Sequence, residues 1–386
     1  MNSETLKPGW KVWRFDQIAT NVNVRIDNPS ESGMEHYVGL EHLDSDSLKI
    51  RRWGTPNDVA ATKLMFKKGD IIFGRRRAYQ RKLGVAEFDG ICSAHAMVLR
   101  AKHDVVLPEF LPFFMQSDLF MNRAVEISVG SLSPTINWKT MAVQEFALPP
   151  LDEQMRVVEL LGAVEEQVES VVEAMDNLLQ VKAAFVERFI SASSESRPTI
   201  VLGDGCTRVT DGTHQPPTFT DQGIPFFLVK TISSGFVDWA STNFVSRKTY
   251  DELTRRVKPK RGDVLYTAVG ATYGVALLVD FDESFVFQRH IAHIIPNPEK
   301  LLGRYIEEFL NSRVGKRQSD RSAIGSAQPT VTLKSLSNFK LPLPTLEEQE
   351  DFVAELESIT TALRHLEGRL QSVRAIRARA LNGELV

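Results

Sequence analysis

A short basic stretch is the feature of this sequence best suited to bind a ligand. Residues 74–82 read GRRRAYQRK, and they follow the apolar run 71–73 directly. Like charges held together on one loop repel each other unless a polyanion relieves the repulsion, and the arginine fork matches phosphate oxygens and guanine edges. A solvated surface is the alternative explanation for a charge run. The triple arginine favours a nucleic acid, and the candidate contacts are Arg75, Arg76, Arg77, Tyr79, Arg81 and Lys82.

A second set of candidates lies in the other half of the chain. Residues 211–217 read DGTHQPP, and further polar side chains occur on predicted loops near 272 and 289. Amide, hydroxyl, imidazole and guanidinium groups can all hydrogen-bond base edges. A buried turn or a core hydrogen bond explains Thr272 and His214 equally well. The candidates are Thr213, His214, Gln215, Thr272, Tyr273 and Arg289.

Motifs for catalysis, metal binding and cofactor binding do not occur. Cys92 and Cys206 are far apart with no CxxC pair, and the histidines form no HExxH pattern. His290 and His293 are three apart on a predicted strand and should point to opposite faces. The chain also has no GxxxxGK[ST] phosphate loop and no [DNS]PP[YF] tetrapeptide, which an adenine methyltransferase needs. We therefore expect no catalytic residue, no metal site and no resident cofactor.

The composition is that of an ordinary globular protein. The chain has 386 residues, of which 42% are hydrophobic and 25% charged, so two or more folding units are expected. The first residues lack a signal peptide, and no stretch approaches the roughly 18 apolar residues of a membrane span. These features predict a cytoplasmic protein without membrane contact. The net charge of −3 hides segregation, because the two segments 149–193 and 344–386 are acidic and the remainder is basic.

The two halves of the chain repeat each other at a spacing of 195 residues. Residues 129–136 (VGSLSPTI) align with 324–331 (IGSAQPTV), and residues 148–154 (LPPLDEQ) align with 343–349 (LPTLEEQ). This spacing is far longer than that of a solenoid repeat, so it indicates a duplicated domain. The predicted organisation is a globular domain at 1–148, a long helix at 149–193, a second globular domain at 194–343 and a second long helix at 344–386.

Both helical segments carry apolar residues at alternating intervals of three and four. A seam of this length needs another long helix as partner, because one helix of about 38 residues is about 57 Å long. Thr345 and Glu348 have the spacing of a capping box. The predicted helix–helix seam consists of Leu161, Val164, Val168, Val171, Met175, Leu178, Leu356, Ile359, Leu363, Leu366, Leu370 and Val373.

The connection between the helices favours an antiparallel pair, since a globular domain separates the end of one from the start of the next. Such a pair would give a pseudo-twofold molecule. Lys182 and Arg377 interrupt the two seams at matching positions. In an antiparallel pair we expect each to face the acidic first turns of the other helix, around Glu355 and Glu159 respectively.

The duplicated LPxLxEQ element followed by a heptad helix resembles the specificity subunit of type I restriction-modification systems. The match extends to the Gly-Asp turns at 69–70 and 262–263, and the DGTHQPP segment resembles the element that opens a target-recognition domain. The first repeat departs from that element, with Asn21-Val22-Asn23-Val24-Arg25 in its place. The resemblance covers nearly the whole chain.

The resemblance implies two α/β target-recognition domains in tandem, separated by two long antiparallel coiled-coil helices. Each domain would read half of a split site in double-stranded DNA, and the helices would measure the spacer. Two modification subunits with S-adenosylmethionine and two restriction subunits with ATP and Mg²⁺ are the implied partners. The competing interpretations are a coiled-coil scaffold that binds only protein and a stand-alone methyltransferase, which the missing motifs disfavour.

Overall fold

The computed structural model of the protein describes residues 6–45, 47–255 and 257–383, without the side chains of 193–196. The chain forms two compact units. The first contains the residues up to Glu173 together with those from Gly368 onward, and the second is Ala174–Glu367. Each unit therefore includes part of both long helices.

Short strands form the centre of the first unit. One sheet has the strand order β2-β9-β6-β7, another has the order β3-β5-β8-β4, and β1 pairs with β10. Ile71 and Phe73 of β6 lie in one apolar core and Ile72 in another, since side chains alternate between the faces of a strand. The strands are β1 (Lys11–Arg14), β2 (Ala19–Val22), β3 (Arg25–Ile26), β4 (Tyr37–Val38), β5 (Lys63–Phe66), β6 (Ile71–Phe73), β7 (Leu83–Val85), β8 (Gly90–Ser93), β9 (Met97–Ala101) and β10 (Glu145–Leu148).

Helices pack against the strands of the first unit, and aromatic side chains form the core between them. The ring of Phe120 lies 5.3 Å from that of Phe15, 5.7 Å from that of Phe73 and 5.6 Å from that of Phe146. This cluster fixes the end of β6 and therefore the start of the basic loop. The helices are α1 (Phe15–Ile18), α2 (Phe110–Gln116), α3 (Asp118–Glu126), α4 (Trp138–Ala142), the first part of α5 (Leu151–Ser196) and the last part of α11 (Leu346–Leu381).

The second unit repeats this plan with one difference. Its sheet β12-β19-β16-β17 corresponds to β2-β9-β6-β7, and β11 pairs with β20. In the sheet β13-β15-β14-β18, however, the second strand in chain order, β14, lies inside, whereas its counterpart β4 lies at an edge. The strands are β11 (Thr199–Val201), β12 (Cys206–Asp211), β13 (Phe219–Thr220), β14 (Ile224–Phe227), β15 (Asn243–Val245), β16 (Val264–Thr267), β17 (Ala276–Leu278), β18 (Val286–Phe287), β19 (Ile291–Pro296) and β20 (Lys340–Pro342).

Helices α8 and α9 of the second unit correspond to α2 and α3 of the first. Both pairs are joined by a serine, Ser117 or Ser312, whose side chain caps the second helix. The helices of this unit are the last part of α5, α6 (Val229–Ile232), α7 (Arg247–Leu253), α8 (Gly303–Asn311), α9 (Arg313–Ser322), α10 (Leu333–Ser337) and the first part of α11 (Leu346–Leu381).

The two long helices pack against each other in both units. In the first unit Leu161 of α5 and Ala380 of α11 share an apolar cluster with Phe113. In the second unit Phe185 and Phe189 of α5 stack on Phe352 of α11, with ring centroids 5.3 and 4.3 Å apart. Early α5 thus meets late α11, and late α5 meets early α11, so the packing is antiparallel. The predicted fold class, tandem mixed α/β domains with two long antiparallel helices, is confirmed.

The predicted seam residues lie on the covered face of these helices. Six are buried, and the other six are partly buried. Apolar residues off the seam, such as Val172, Leu179 and Val181, are exposed. The buried six are Leu161, Val164, Val171, Leu356, Ile359 and Leu370, and the partly buried six are Val168, Met175, Leu178, Leu363, Leu366 and Val373.

The expectation for the two interrupting cations is confirmed only in part, because Arg377 faces an acidic residue of α5 but not Glu159, and Lys182 pairs outside the other long helix. Arg377 Nε lies 2.5 Å from Glu165 Oε1 on α5, more than one turn beyond Glu159. Lys182 Nζ lies 3.7 Å from Glu308 Oε1 on α8, which is not part of the other long helix. The heptad pattern did not reveal that α2 and α8 contact the helix pair and supply polar partners there.

Two glutamines attach the globular parts to the helix starts. Gln154, fully buried, accepts from Leu107 N and donates to Val105 O and Pro149 O. Gln349 makes the same three bonds in the second unit, with Leu302, Lys300 and Pro344. The predicted capping box is also confirmed, because Thr345 N donates to Glu348 Oε2 at 2.8 Å and Glu348 N donates to Thr345 Oγ1 at 3.2 Å.

Candidate nucleic-acid interface

The basic loop connects the antiparallel strands β6 and β7 and rests on a second loop. Gly74 N donates to Lys82 O at 2.8 Å, which closes the loop at its base. Arg77 N donates to Pro134 O at 2.7 Å, and Ile136 N donates to Arg75 O at 3.0 Å. The repeated GSxxPT element, residues 130–135 here, therefore supports the basic loop through backbone bonds.

Arg76, Arg77 and Tyr79 lie on the outer side of this loop pair. Arg76 Nε and Arg77 Nε both donate to Ser133 Oγ, at 2.8 and 3.2 Å, which holds the two guanidinium groups side by side. Tyr79 is 55% exposed. His95 lies 3.4 Å from Arg76, and burial together with the charges of Arg76 and Arg75 lowers its pKa. The lowered pKa favours the neutral imidazole beside the two arginines.

The other three cations of the loop are also held by acceptors of the protein, and these acceptors lie outside the loop pair. Arg75 Nη2 donates to Ala94 O at 3.0 Å, and Lys82 Nζ donates to Leu40 O at 2.8 Å. Arg81 Nη1 donates to Asp118 Oδ1 at 2.8 Å. These contacts shape the loop, so a phosphate contact by any of these three side chains would compete with them.

The DGTHQ segment of the second unit lies beside Arg289. Thr213 N donates to Phe287 O at 3.0 Å, and Arg289 N donates to Thr213 O at 2.9 Å. A Cβ on Gly212 would lie 2.0 Å from Phe287 O, so this close approach requires glycine. His214 Nε2 lies 3.0 Å from Asp211 Oδ2 and is largely exposed. The structure therefore brings the predicted residues Thr213, His214, Gln215 and Arg289 together.

Thr272 and Tyr273 lie on the counterpart of the basic loop, between β16 and β17. Gly270 N donates to Pro329 O at 2.9 Å and Val331 N to Ala268 O at 2.8 Å, which repeats the support seen in the first unit. Thr272 is exposed, whereas Tyr273 OH donates to Asp320 Oδ1 at 2.9 Å, and this bond raises the pKa of Tyr273. Ala268 N donates to His290 O at 2.9 Å, so this loop also adjoins the residue after Arg289.

Corresponding backbone bonds show which positions of the two loops match. Arg76 corresponds to Val269, Arg77 to Gly270 and Arg81 to Gly274. The backbone of Arg77 and Arg81 is left-handed, with φ of 59° and 53°, as it is at Gly270 and Gly274. The two units therefore present different side chains on the same backbone scaffold.

Sequence reasoning missed Ser133 and a cavity in the second unit. Ser133 lies in the repeated GSxxPT element, which was recognised only as a repeat. The cavity, of about 420 Å³, lies beside the DGTH segment and is lined by Arg208, Asp211 and Arg255 among others. His293 also lines it and is buried, with its Nε2 2.7 Å from Asp263 Oδ2, whereas His290 is partly exposed. The two histidines do not converge, but the reason differs from the predicted one, because His290 lies in the turn between β18 and β19 and not on the same strand as His293.

Comparison with known proteins decides the family. Residues 28–174 and 223–375 match the family model described as the type I restriction modification DNA specificity domain. The chain belongs to this family. The matched segments include both loop pairs, about half of α5 and most of α11, and the resemblance inferred from the sequence is confirmed.

Individual relatives agree with this assignment. The chain is 22% identical over 290 residues to the type I restriction enzyme MjaVIII specificity subunit of Methanocaldococcus jannaschii, covering 70% of this chain and 67% of that protein. It is 28% identical over 206 residues to the EcoDI specificity subunit of Escherichia coli, covering 50% and 46%. The matches thus span between about half and two thirds of these relatives.

A solved structure shares the fold across nearly the whole chain. That structure is described as the structural basis of complex assembly and conformational transition of the type I R-M system. It superposes on this chain with a TM-score of 0.63 and 23% sequence identity, and the match covers 99% of this chain and all of that one. Among the described residues, no helix has the combination of length and apolar character that a bilayer crossing requires.

Proposed function

We propose that this chain is the DNA-reading subunit of a type I restriction-modification complex and that each unit reads one half of a split site. The observation that supports the proposal is that the loop between β6 and β7 and the loop between β16 and β17 share one backbone conformation but carry different side chains. Arg76 and Arg77 occupy it in the first unit, and Val269 and Gly270 occupy it in the second. A shared scaffold gives both units the same approach to a duplex, while different side chains select different bases.

The reading surfaces combine phosphate and base contacts. In the first unit the proposed contacts are Arg76, Arg77 and Tyr79, with Arg75, Arg81 and Lys82 supporting the loop. In the second unit they are Thr213, His214, Gln215, Thr272 and Arg289, with Tyr273 held by Asp320. Arginine contacts to phosphate give an affinity for DNA that falls as the salt concentration rises. Each bidentate contact to a base favours the correct base over a wrong one by about 1 to 3 kcal/mol.

Catalysis belongs to the partners in this proposal. Two modification subunits would bind S-adenosylmethionine and methylate adenine, and two restriction subunits would use ATP and Mg²⁺. The antiparallel helices would set the spacer between the two half-sites and offer a surface for the modification subunits. This chain would contribute sequence selection without a cofactor or a catalytic residue of its own.

Co-purification with partners tests the proposal. The full chain is expressed with a candidate modification subunit from the same genome, and the purified complex is assayed for adenine methylation of duplex DNA. We expect a stable complex that methylates one split sequence, and no methylation by either protein alone. A stable complex without affinity for DNA would instead support a protein-binding scaffold.

A further inference from the structure

A polar junction connects the basic loop of the first unit to the end of the C-terminal helix. Its centre is the elbow between α2 and α3, residues 116–118. Gln116 is 1% exposed and Ser117 is buried, so the polar groups here need partners within the protein. Partners for most of these groups come from two directions, whereas the buried Gln116 Nε2 has no hydrogen-bond partner among the described residues.

The basic loop holds the elbow from one side. Arg81 Nη1 donates to Asp118 Oδ1 at 2.8 Å, and Arg81 Nη2 donates to the backbone oxygen of Gln116 at 2.5 Å. Arg81 has φ of 53°, in the left-handed region that residues other than glycine adopt only at a steric cost. The guanidinium therefore anchors the strained end of the loop to the elbow.

The end of α11 holds the same elbow from the other side. Arg377 Nη2 donates to Gln116 Oε1 at 2.5 Å, while its Nε donates to Glu165 Oε1 of α5 at 2.5 Å. Asn382 Nδ2 donates to Asp118 Oδ2 at 2.9 Å, and Asp118 N donates to Asn382 Oδ1 at 3.0 Å. These bonds from Asn382, followed by those from Arg81, lower the pKa of Asp118 and keep its carboxylate charged.

The second unit has the helix side of this junction without the arginine link. Glu187 Oε1, at the position of Asn382 in the repeat, accepts from Arg313 N at 2.6 Å. Lys182, at the position of Arg377, faces Glu308 at 3.7 Å. The position of Arg81 is Gly274, which has no side chain to reach the elbow.

The elbow of the second unit is joined to its loop in another way. Asn311, at the position of Gln116 in the repeat, accepts from Ala276 N at 3.0 Å and donates to Ala276 O at 2.9 Å, directly after the loop. The link through an arginine side chain is therefore specific to the first unit.

We propose that Arg377 and Asn382 are positioning residues for DNA reading by the first unit, acting through residues 116–118 and Arg81. This inference rests on the proposed function. The helix end fixes the elbow, the elbow fixes Arg81, and Arg81 fixes the end of the loop that presents Arg76 and Arg77. Occupation of the helix end by a partner subunit would therefore change how firmly the first half-site is held.

A double-mutant cycle tests the proposal. The full chain in its complex with the modification subunits is titrated with a duplex that carries the methylated site. The variants are Arg377→Met, Asn382→Ala, Arg81→Met and each helix-end change combined with Arg81→Met. Arg369→Met is the matched control, because Arg369 lies on the same helix and bonds Gln167 at 2.7 Å without touching the elbow.

The expected result is a non-additive loss of affinity. Arg377→Met and Asn382→Ala each weaken binding about threefold to tenfold, and neither weakens it further once Arg81 is methionine. Arg369→Met leaves the affinity unchanged. If Arg377→Met unfolds the protein, the exposed Asn382→Ala variant decides the question alone.

Failure of the inference differs from failure of the proposed function. A wild-type complex without affinity for the duplex contradicts both. The other informative case is a wild-type complex that binds the duplex and is weakened by Arg81→Met. If Arg377→Met and Asn382→Ala then have no effect, or if their effects add independently to that of Arg81→Met, only the positioning role is contradicted. The positioning role is also contradicted if Arg377→Met and Asn382→Ala weaken DNA binding no more than the control Arg369→Met does.

Discussion

At the scale of single residues, Arg77 is an arginine in a backbone conformation that favours glycine. Its φ is 59°, and the second unit places Gly270, with φ of 100°, at the same point of the scaffold. Glycine would relieve the steric cost of this conformation, but it would also remove the guanidinium beside Arg76 and Ser133. The presence of arginine is explained if the side chain contacts DNA.

Replacement of Arg77 by glycine separates stability from binding. For Arg77→Gly we expect the free energy of unfolding to stay equal or to rise by up to about 1 kcal/mol, because the left-handed backbone is no longer strained. DNA affinity should fall, and the slope of log affinity against log salt should decrease in magnitude by about one.

Denaturant unfolding and duplex binding at several salt concentrations measure the two effects. Lys67→Ala, an exposed cation outside the loop, is the comparison variant. An Arg77→Gly protein with the salt dependence of the wild type would remove Arg77 from the reading surface.

At the scale of elements, the buried glutamines determine how each globular part joins its helix. Gln154 satisfies one backbone donor and two backbone acceptors, and Gln349 does the same at the matching place. A buried backbone group left without a partner costs about 1 to 3 kcal/mol. The LPxLxEQ element is thus a structural joint.

Replacement of Gln154 by leucine tests that role. We expect Gln154→Leu to lower the free energy of unfolding by about 2 to 4 kcal/mol, because Leu107 N, Val105 O and Pro149 O lose their partner. Denaturant unfolding measures the loss. Gln180→Leu, on an exposed part of α5, should change stability by less than about 0.5 kcal/mol. Equal effects of the two substitutions would argue against a structural joint.

Periodic features of the fold were predictable from the sequence, and the partners of individual side chains were not. The seam positions and the capping box follow from local spacing, so they needed no knowledge of the tertiary structure. Lys182 pairs with Glu308 because α8 packs there, and Arg81 is held by Asp118 because two segments meet at the elbow. The edge position of β4 against the inner position of β14 likewise depends on long-range pairing.

The same distinction applies to the candidate site. The charge run identified the basic loop, and the DGTHQ segment identified the second surface. Which cations face outward depends on loop conformation, since Arg75 and Lys82 bond backbone oxygens of distant residues. Ser133 was not predicted as part of the site, because nothing in a single sequence distinguishes one serine that binds arginines from any other serine.

At the scale of the whole molecule, the duplicated chain pairs its two helices within both units. Removal of seven residues from each helix, 171–177 and 366–372, keeps the heptad register while shortening each by about 10 Å, the rise of about three base pairs. We expect the complex to accept a shorter spacer with unchanged half-sites. Val181→Gln, an exposed change that keeps the length, is the control. An unaltered spacer in the shortened protein would refute the spacer role of the helices.

Mapping methylated adenines in DNA from cells that express the complex tests the central claim most directly. The wild-type complex should methylate one sequence with two specified parts. Replacement of Arg76 and Arg77 by alanine should relax or abolish the requirement in one part and leave the other intact, because only the first unit carries these arginines. Methylation without sequence preference, or equal changes in both parts, would contradict the assignment of one half-site to each unit.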